Sequence, residues 1–91
     1  MAEKVKYGNR YKAFEEKPLE IQHLATRIKQ LRINAGFTSG ETFAYDNDWS
    51  RSSYSRMERG EDVRFSTLVR LCKIHGISLE QFFKEGFDTL Q

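Results

Sequence analysis

Apolar residues in this chain recur at spacings of three and four, and each such run is cut by a glycine or a hydroxyl-bearing residue. That pattern builds short helices. A half-buried strand would alternate with a period of two, and no segment sustains that alternation. Ile21, Leu24, Ile28, Leu31 and Ala35 form the first stripe, which predicts a helix from about Pro18 to Ala35. Pro18 suits its first turn, where the missing N–H would have no partner anyway. Arg27, Lys29 and Arg32 fall on the other faces, and Gly36 suits a left-handed cap. Thr38-x-x-Glu41 fits a capping box for a second helix to about Asp46, with Phe43 and Ala44 inward. Asn47-Asp48 reads as a turn, since both residue types tolerate positive φ. Ser50 is the expected N-cap of a third helix that ends near Arg59 and is stopped by Gly60. Tyr54 and Met57 face inward there, with Trp49 packed just ahead. Ser66 is the expected cap of a fourth helix through His75, with Leu68, Leu71, Cys72 and His75 on its apolar face and Gly76 at its end. Ser78-x-x-Gln81 is a second capping box, opening a short fifth helix with Leu79, Phe82 and Phe83. The expected class is all-α, a compact five-helix domain.

Ninety-one residues make one domain with a modest core. The division expected is a basic, aromatic leader over 1–17, the helical domain over 18–85 and a short tail over 86–91. In the leader, Lys4, Lys6, Arg10, Lys12 and Lys17 outnumber Glu3, Glu15 and Glu16. It reads as a solvated arm, a strand of charge against DNA, or a segment packed on a partner. An apolar share of 38% and a charged share of 31% exclude wholesale disorder. The net charge of +2 permits nucleic acid without demanding it, so charge placement must decide. Cys72 is the only cysteine, which precludes an intramolecular disulfide. With no secretory h-region at the start and no run of 18 apolar residues, a cytoplasmic protein is expected.

Residues 38–60, TSGETFAYDNDWSRSSYSRMERG, carry the functional expectation. A short helix, a tight turn and a second helix give the bihelical unit that fits the major groove of DNA. With Tyr54 and Met57 inward, the outer face of the second helix holds Arg51, Ser52, Ser55 and Arg56, and no carboxylate until Glu58. Arginine can donate two hydrogen bonds to guanine O6 and N7, and serine can bond several base edges. A solvated Arg/Ser face is the bland alternative, and taken alone the segment does not separate the two.

The pieces LATRIKQLR-x-x-x-G, Phe43-Ala44, SRSSYSRMERG at 50–60 and SLEQFF at 78–83 resemble the phage-repressor-like, or xenobiotic-response-element, helix-turn-helix proteins. The resemblance runs from about Leu24 to Phe83. It implies a lambda-repressor-like fold and a sequence-specific regulator of transcription that binds a double-stranded DNA operator as a homodimer. By position it implies base contacts from Arg51, Ser52, Ser55 and Arg56. It implies phosphate contacts from Ser39, Gly40, Arg59, Arg64 and Ser66. Glu58 falls where the family has a structural carboxylate, for which Arg27 or Arg32 is the expected partner. Three departures weaken the electrostatics. Gly40 stands where the family usually has a phosphate-gripping glutamine, with one extra residue between Gly36 and Ala44. Asp48 replaces the turn glycine, and Glu61 and Asp62 make the following loop acidic. They imply modest, salt-sensitive affinity per monomer.

Other residues take plainer readings. Cys72 and His75 are too few for a metal site and lack a third group for nucleophilic catalysis. His75 beside Gly76 reads as a favourable charge at a helix C-terminus. Trp49, Tyr54, Phe43, Phe82 and Phe83 read as core. Yet Phe82, Phe83, Phe87 and Leu90 come late, in elements too short to cover all four, and are the expected dimer interface. No cofactor, small effector or enzymatic activity is expected. The runner-up reading is a protein-interaction module of the same fold; within the DNA-binding class a phage-like repressor, a restriction–modification controller and an autoregulating antitoxin all stay open.

Overall fold

The computed structural model describes residues 13–87. Among them are a 3₁₀ turn at Phe14–Glu16 and five α-helices: α1 (Leu19–Asn34), α2 (Gly40–Asp46), α3 (Arg51–Glu58), α4 (Phe65–His75) and α5 (Leu79–Lys84). The all-α expectation holds, and the helix boundaries fall within a residue or two of those expected. The expectations for leader residues 1–12 and for Leu90 lie outside the described residues. No helix among the described residues is long and apolar enough to cross a membrane.

The three glycines end their helices in one way. At Gly60, φ is +93°, a conformation with no Cβ penalty only for glycine. Its N–H donates to Met57 O while the N–H of Glu61 reaches back to Arg56 O. That pair of bonds is a Schellman closure, and Gly36 and Gly76 carry the same pair. Asp48 takes φ +55° in the turn between α2 and α3, as its side chain allows.

Two caps differ from expectation. Ser39, not Thr38, caps α2 by accepting from the N–H of Thr42. α4 begins two residues earlier than Ser66 would place it: Arg64 holds the cap position without a side-chain bond, and Ser66 lies inside the first turn. Ser50 and Ser78 cap α3 and α5 as expected, the latter with the full reciprocal box to Gln81.

The core gathers Ile28, Phe43, Ala44, Tyr54, Met57, Leu68, Leu71, Cys72 and Phe82. Each fully buried large side chain contributes about 1.5–3 kcal/mol by leaving water. Phe43 sits at the centre, tilted on Tyr54 at 5.0 Å, edge-on to Phe37 at 5.3 Å and stacked on His75 at 5.2 Å. Burial holds the His75 imidazole below its ordinary pKa, with the Arg27 charge a lesser cause. His75 is therefore a neutral core ring, not the C-terminal cation expected. Burial likewise pushes the Cys72 thiol up, so it is protonated and inert.

Two arginines of α1 depart from the expected outward faces. Arg27 and Arg32 are both buried, whereas Ala35 is exposed. Arg27 Nε donates to Phe82 O at 2.7 Å and Nη2 to Gln81 O at 3.0 Å, satisfying carbonyls that a helix of six residues leaves open. One turn earlier, His23 Nδ1 meets Gly86 O at 2.7 Å. α1 thus clamps the chain from α5 to Phe87. Lys17 Nζ donates to Gly60 O at 2.9 Å, and the Phe14 ring lies against Gly60, where a Cβ would come within 3.2 Å of it. The docked part of the chain therefore extends N-terminal to Pro18.

Candidate nucleic-acid interface

α2 and α3 pack on one another and on α1, with Trp49 in the link between them. The Trp49 N–H donates to Ala44 O at 2.8 Å and its ring is half-buried against Tyr54. Arg70 of α4 lies over the Trp49 ring at 3.9 Å and donates to the carbonyls of Asn47 and Asp48 at 3.0 and 3.2 Å. One guanidinium therefore fixes the turn that sets α3 against α2. Sequence reading missed Arg70, because contacts 22 residues apart leave no local signature.

α3 divides by exposure as its spacing demands. Tyr54 is wholly buried and Met57 nearly so. Arg51, Ser52, Arg56 and Arg59 are exposed and Ser55 half-exposed, so the four base-reading candidates share one outer surface with Arg59. Within that surface Arg59 Nη1 donates to Ser55 Oγ at 3.0 Å and Arg56 Nη2 to Ser53 Oγ at 3.3 Å. Arg51 Nη1 donates to Glu41 Oε2 at 2.6 Å, and Arg56 Nε stands 3.6 Å from Glu61. Both candidate base-reading arginines thus face carboxylates of their own chain, one from α2 and one from the loop after α3. The sequence had flagged Glu61 as weakening the electrostatics; it gave Glu41 only a capping role.

The phosphate candidates fall into two groups. Ser39 and Gly40 open α2, and the Ser39 hydroxyl is engaged in capping and with Thr42 Oγ1. A Cβ on Gly40 would lie 3.2 Å from the buried Tyr54 ring. A side chain here would need the Tyr54 ring to give by a few tenths of an ångström, so the packing of α2 on α3 disfavours one where the glutamine is missing. Arg59, Arg64 and Ser66 are exposed at the other end, and Arg64 and Arg56 line a cleft of about 360 Å³ with Ser53, Glu61 and Thr67.

The α2–turn–α3 unit rests on a buried ion pair. Arg32 Nε and Nη2 donate to the two carboxylate oxygens of Glu58 at 3.0 and 2.9 Å, and Nη1 donates to Phe37 O. Of the two partners expected for Glu58, the structure selects Arg32. The hydrogen bond to Glu58 raises the Arg32 pKa against the opposing effect of burial. Burial, reinforced by the Glu58 carboxylate, holds the Tyr54 phenol far above its usual range, so it stays protonated. Its hydroxyl is buried without a hydrogen bond.

The late aromatics do not form one open face. Phe82 is 0% exposed, covered by α1 and clasped by Arg27, which removes it from the expected dimer interface. Phe87 is half-buried against Phe82 and Phe83, and Phe83 alone is substantially exposed, at 46%.

No curated protein and no solved structure matches this chain. A family model described as a helix-turn-helix domain matches residues 23–82, which span α1 to α5 and contain the α2–turn–α3 unit just described. The chain belongs to that helix-turn-helix domain family.

Proposed function

We propose that this protein is a sequence-specific regulator of transcription of the phage-repressor-like type, binding operator DNA as a two-fold dimer. α3 enters the major groove. Arg51, Ser52, Ser55 and Arg56 read base edges, and Ser39, Gly40, Arg59, Arg64 and Ser66 hold the phosphates on either side. The observation that carries the reading is the sidedness of α3: Tyr54 and Met57 are buried and the outer surface is arginine and serine. Arg51 opens that surface and Arg56 closes it in the last turn, so arginines stand at both ends of the exposed face. A two-fold dimer sets its recognition helices about 34 Å apart on a palindromic site.

The test is selection from a random duplex pool, followed by binding of Arg51→Ala to the selected site. A lost bidentate contact costs about 1–3 kcal/mol and relaxes preference at one base pair while the fold is kept. A pool that yields no enriched sequence would replace this reading with the protein-interaction module. The pairing of both recognition arginines with internal carboxylates favours that second reading.

A further inference from the structure

We propose that Glu41 is the positioning residue for base reading by Arg51: it holds the guanidinium by one nitrogen, leaves the opposite fork for guanine, and penalises its use on phosphate. The inference rests on the DNA-binding reading above and names a specificity element within it.

The geometry is set by two elements. Glu41 is the second residue of α2 and Arg51 the first of α3. Their backbones are fixed relative to one another, because Gly40 packs directly on the buried ring of Tyr54 and leaves no room for even a Cβ without displacement. Arg70 braces the intervening turn through Asn47 and Asp48. From these anchored positions the side chains meet with Nη1 2.6 Å from Oε2.

Guanidinium chemistry does the rest. The group has five N–H donors in one plane. Glu41 engages Nη1 alone, and among the described residues no other hydrogen bond is made by Arg51. The side-on fork of Nε and Nη2 is thus free, and two parallel N–H groups match guanine O6 and N7. Fixing the plane beforehand removes part of the ordering cost of a long side chain. The carboxylate also acts against the wrong partner. Turning Arg51 to a phosphate would abandon Glu41 or carry it into the negative field of the backbone, where like charges repel.

The pair has little to do with folding. Its side chains are 71% and 63% exposed, and ion pairs so open to water contribute little to stability. Arg56 is held less closely, with Glu61 3.6 Å from Nε. The role is therefore specific to Arg51.

The experiment uses the full chain and the site it selects from a random duplex pool. Affinities are measured for that site, for the same site carrying 7-deazaguanine, and for random-sequence duplex. The proteins are wild type, Glu41→Gln, Arg51→Ala and the double variant, each with a thermal melt. Glu41→Gln should leave the melt unchanged, weaken the selected site and hold or strengthen random-sequence binding. The ratio of specific to non-specific affinity should fall roughly tenfold. Substituting 7-deazaguanine should weaken wild type more than Glu41→Gln, and the double variant should match Arg51→Ala. A Glu41→Gln protein with an unchanged ratio, or with both affinities reduced alike, would overturn the inference while leaving DNA binding intact. Failure of wild type to select any sequence would overturn DNA binding itself, and the inference with it.

Discussion

Glu58 and Arg32 lie 2.9 Å apart with side chains 13% and 6% exposed, so neither charge has water to fall back on. Removing one partner from such a pair leaves the other buried and uncompensated, which costs about 3–5 kcal/mol. Glu58→Ala should therefore lower the thermal midpoint steeply, and Arg32→Met combined with Glu58→Met should recover much of the loss. A midpoint unchanged in Glu58→Ala would remove the pair from the account of stability. That Glu58 needs a cation was legible, because a carboxylate late in a helix opposes the macrodipole. Which arginine supplies it was not, since the apolar stripe of α1 puts both Arg27 and Arg32 on outward faces. His75 shows the same limit. A histidine before a C-capping glycine fits a charge–dipole reading, yet Phe43 covers its ring and Nε2 is buried without a partner. The sign of its pH effect follows from the lowered pKa. Above the ordinary value of 6.5 both folded and unfolded chains hold it neutral, and no penalty arises. As pH falls through that value the unfolded chain takes up the proton first, so stability drops. Thermal midpoints measured from pH 7.5 to about pH 5 should decline, and His75→Gln should flatten that slope. An equal decline in both proteins would assign it to other groups.

At the scale of elements, spacing and punctuation made most of the fold legible. Three glycine closures, two serine caps and five apolar runs are local signals, and they fall where expected. The errors are local ties broken by tertiary contacts. Thr38 and Ser39 can both cap α2, and the packing of Gly40 on Tyr54 starts the helix after Ser39. α5 is the weakest element by its own resources, because six residues cannot satisfy their own C-terminal carbonyls. Arg27 supplies those bonds from α1. Arg27→Ala should therefore fray α5, exposing Phe82 and lowering stability by about 2 kcal/mol through unpaired carbonyls and lost contact. Hydrogen exchange should accelerate first at the α5 amides, with α3 protected until global unfolding. Uniform acceleration across all helices would mean that α5 is no separate unit. The candidate site was legible in the arginine and serine face of α3, where exposure follows the helical period. Its carboxylates and Arg70 were less so, because their partners come from other elements.

At the scale of the whole molecule, a net charge of +2 and an acidic turn leave one domain little attraction for DNA. In the proposed dimer two linked domains would compensate, since the second would bind at the high effective concentration set by the first. The surface left for the proposed dimer is smaller than the late aromatics alone suggested, because Phe82 belongs to the core and Phe87 is half covered. Among the described residues Phe83 is the exposed late aromatic that the proposed dimer can use, with Phe87 at 5.1 Å. Truncation after Glu85 is a poor test of it. The cut would also delete Gly86, whose carbonyl meets His23, and Phe87, which packs on the core. Phe83→Glu is the cleaner change, because it places a charge on the most exposed of the late aromatics and keeps Gly86 and Phe87, giving up only the Phe83 ring's own contacts with Phe82 and Phe87. The variant should stay folded with a slightly lowered melt, sediment as a monomer and bind an isolated half-site as wild type does. On a palindromic site it should bind roughly a hundredfold more weakly, the scale of avidity gained by linking two modules. A wild-type protein that sediments as a monomer at tens of micromolar, yet binds a single non-palindromic site as tightly as a palindrome, would end the dimer model. Phe83 would then be an isolated surface aromatic, of a kind that soluble domains commonly carry.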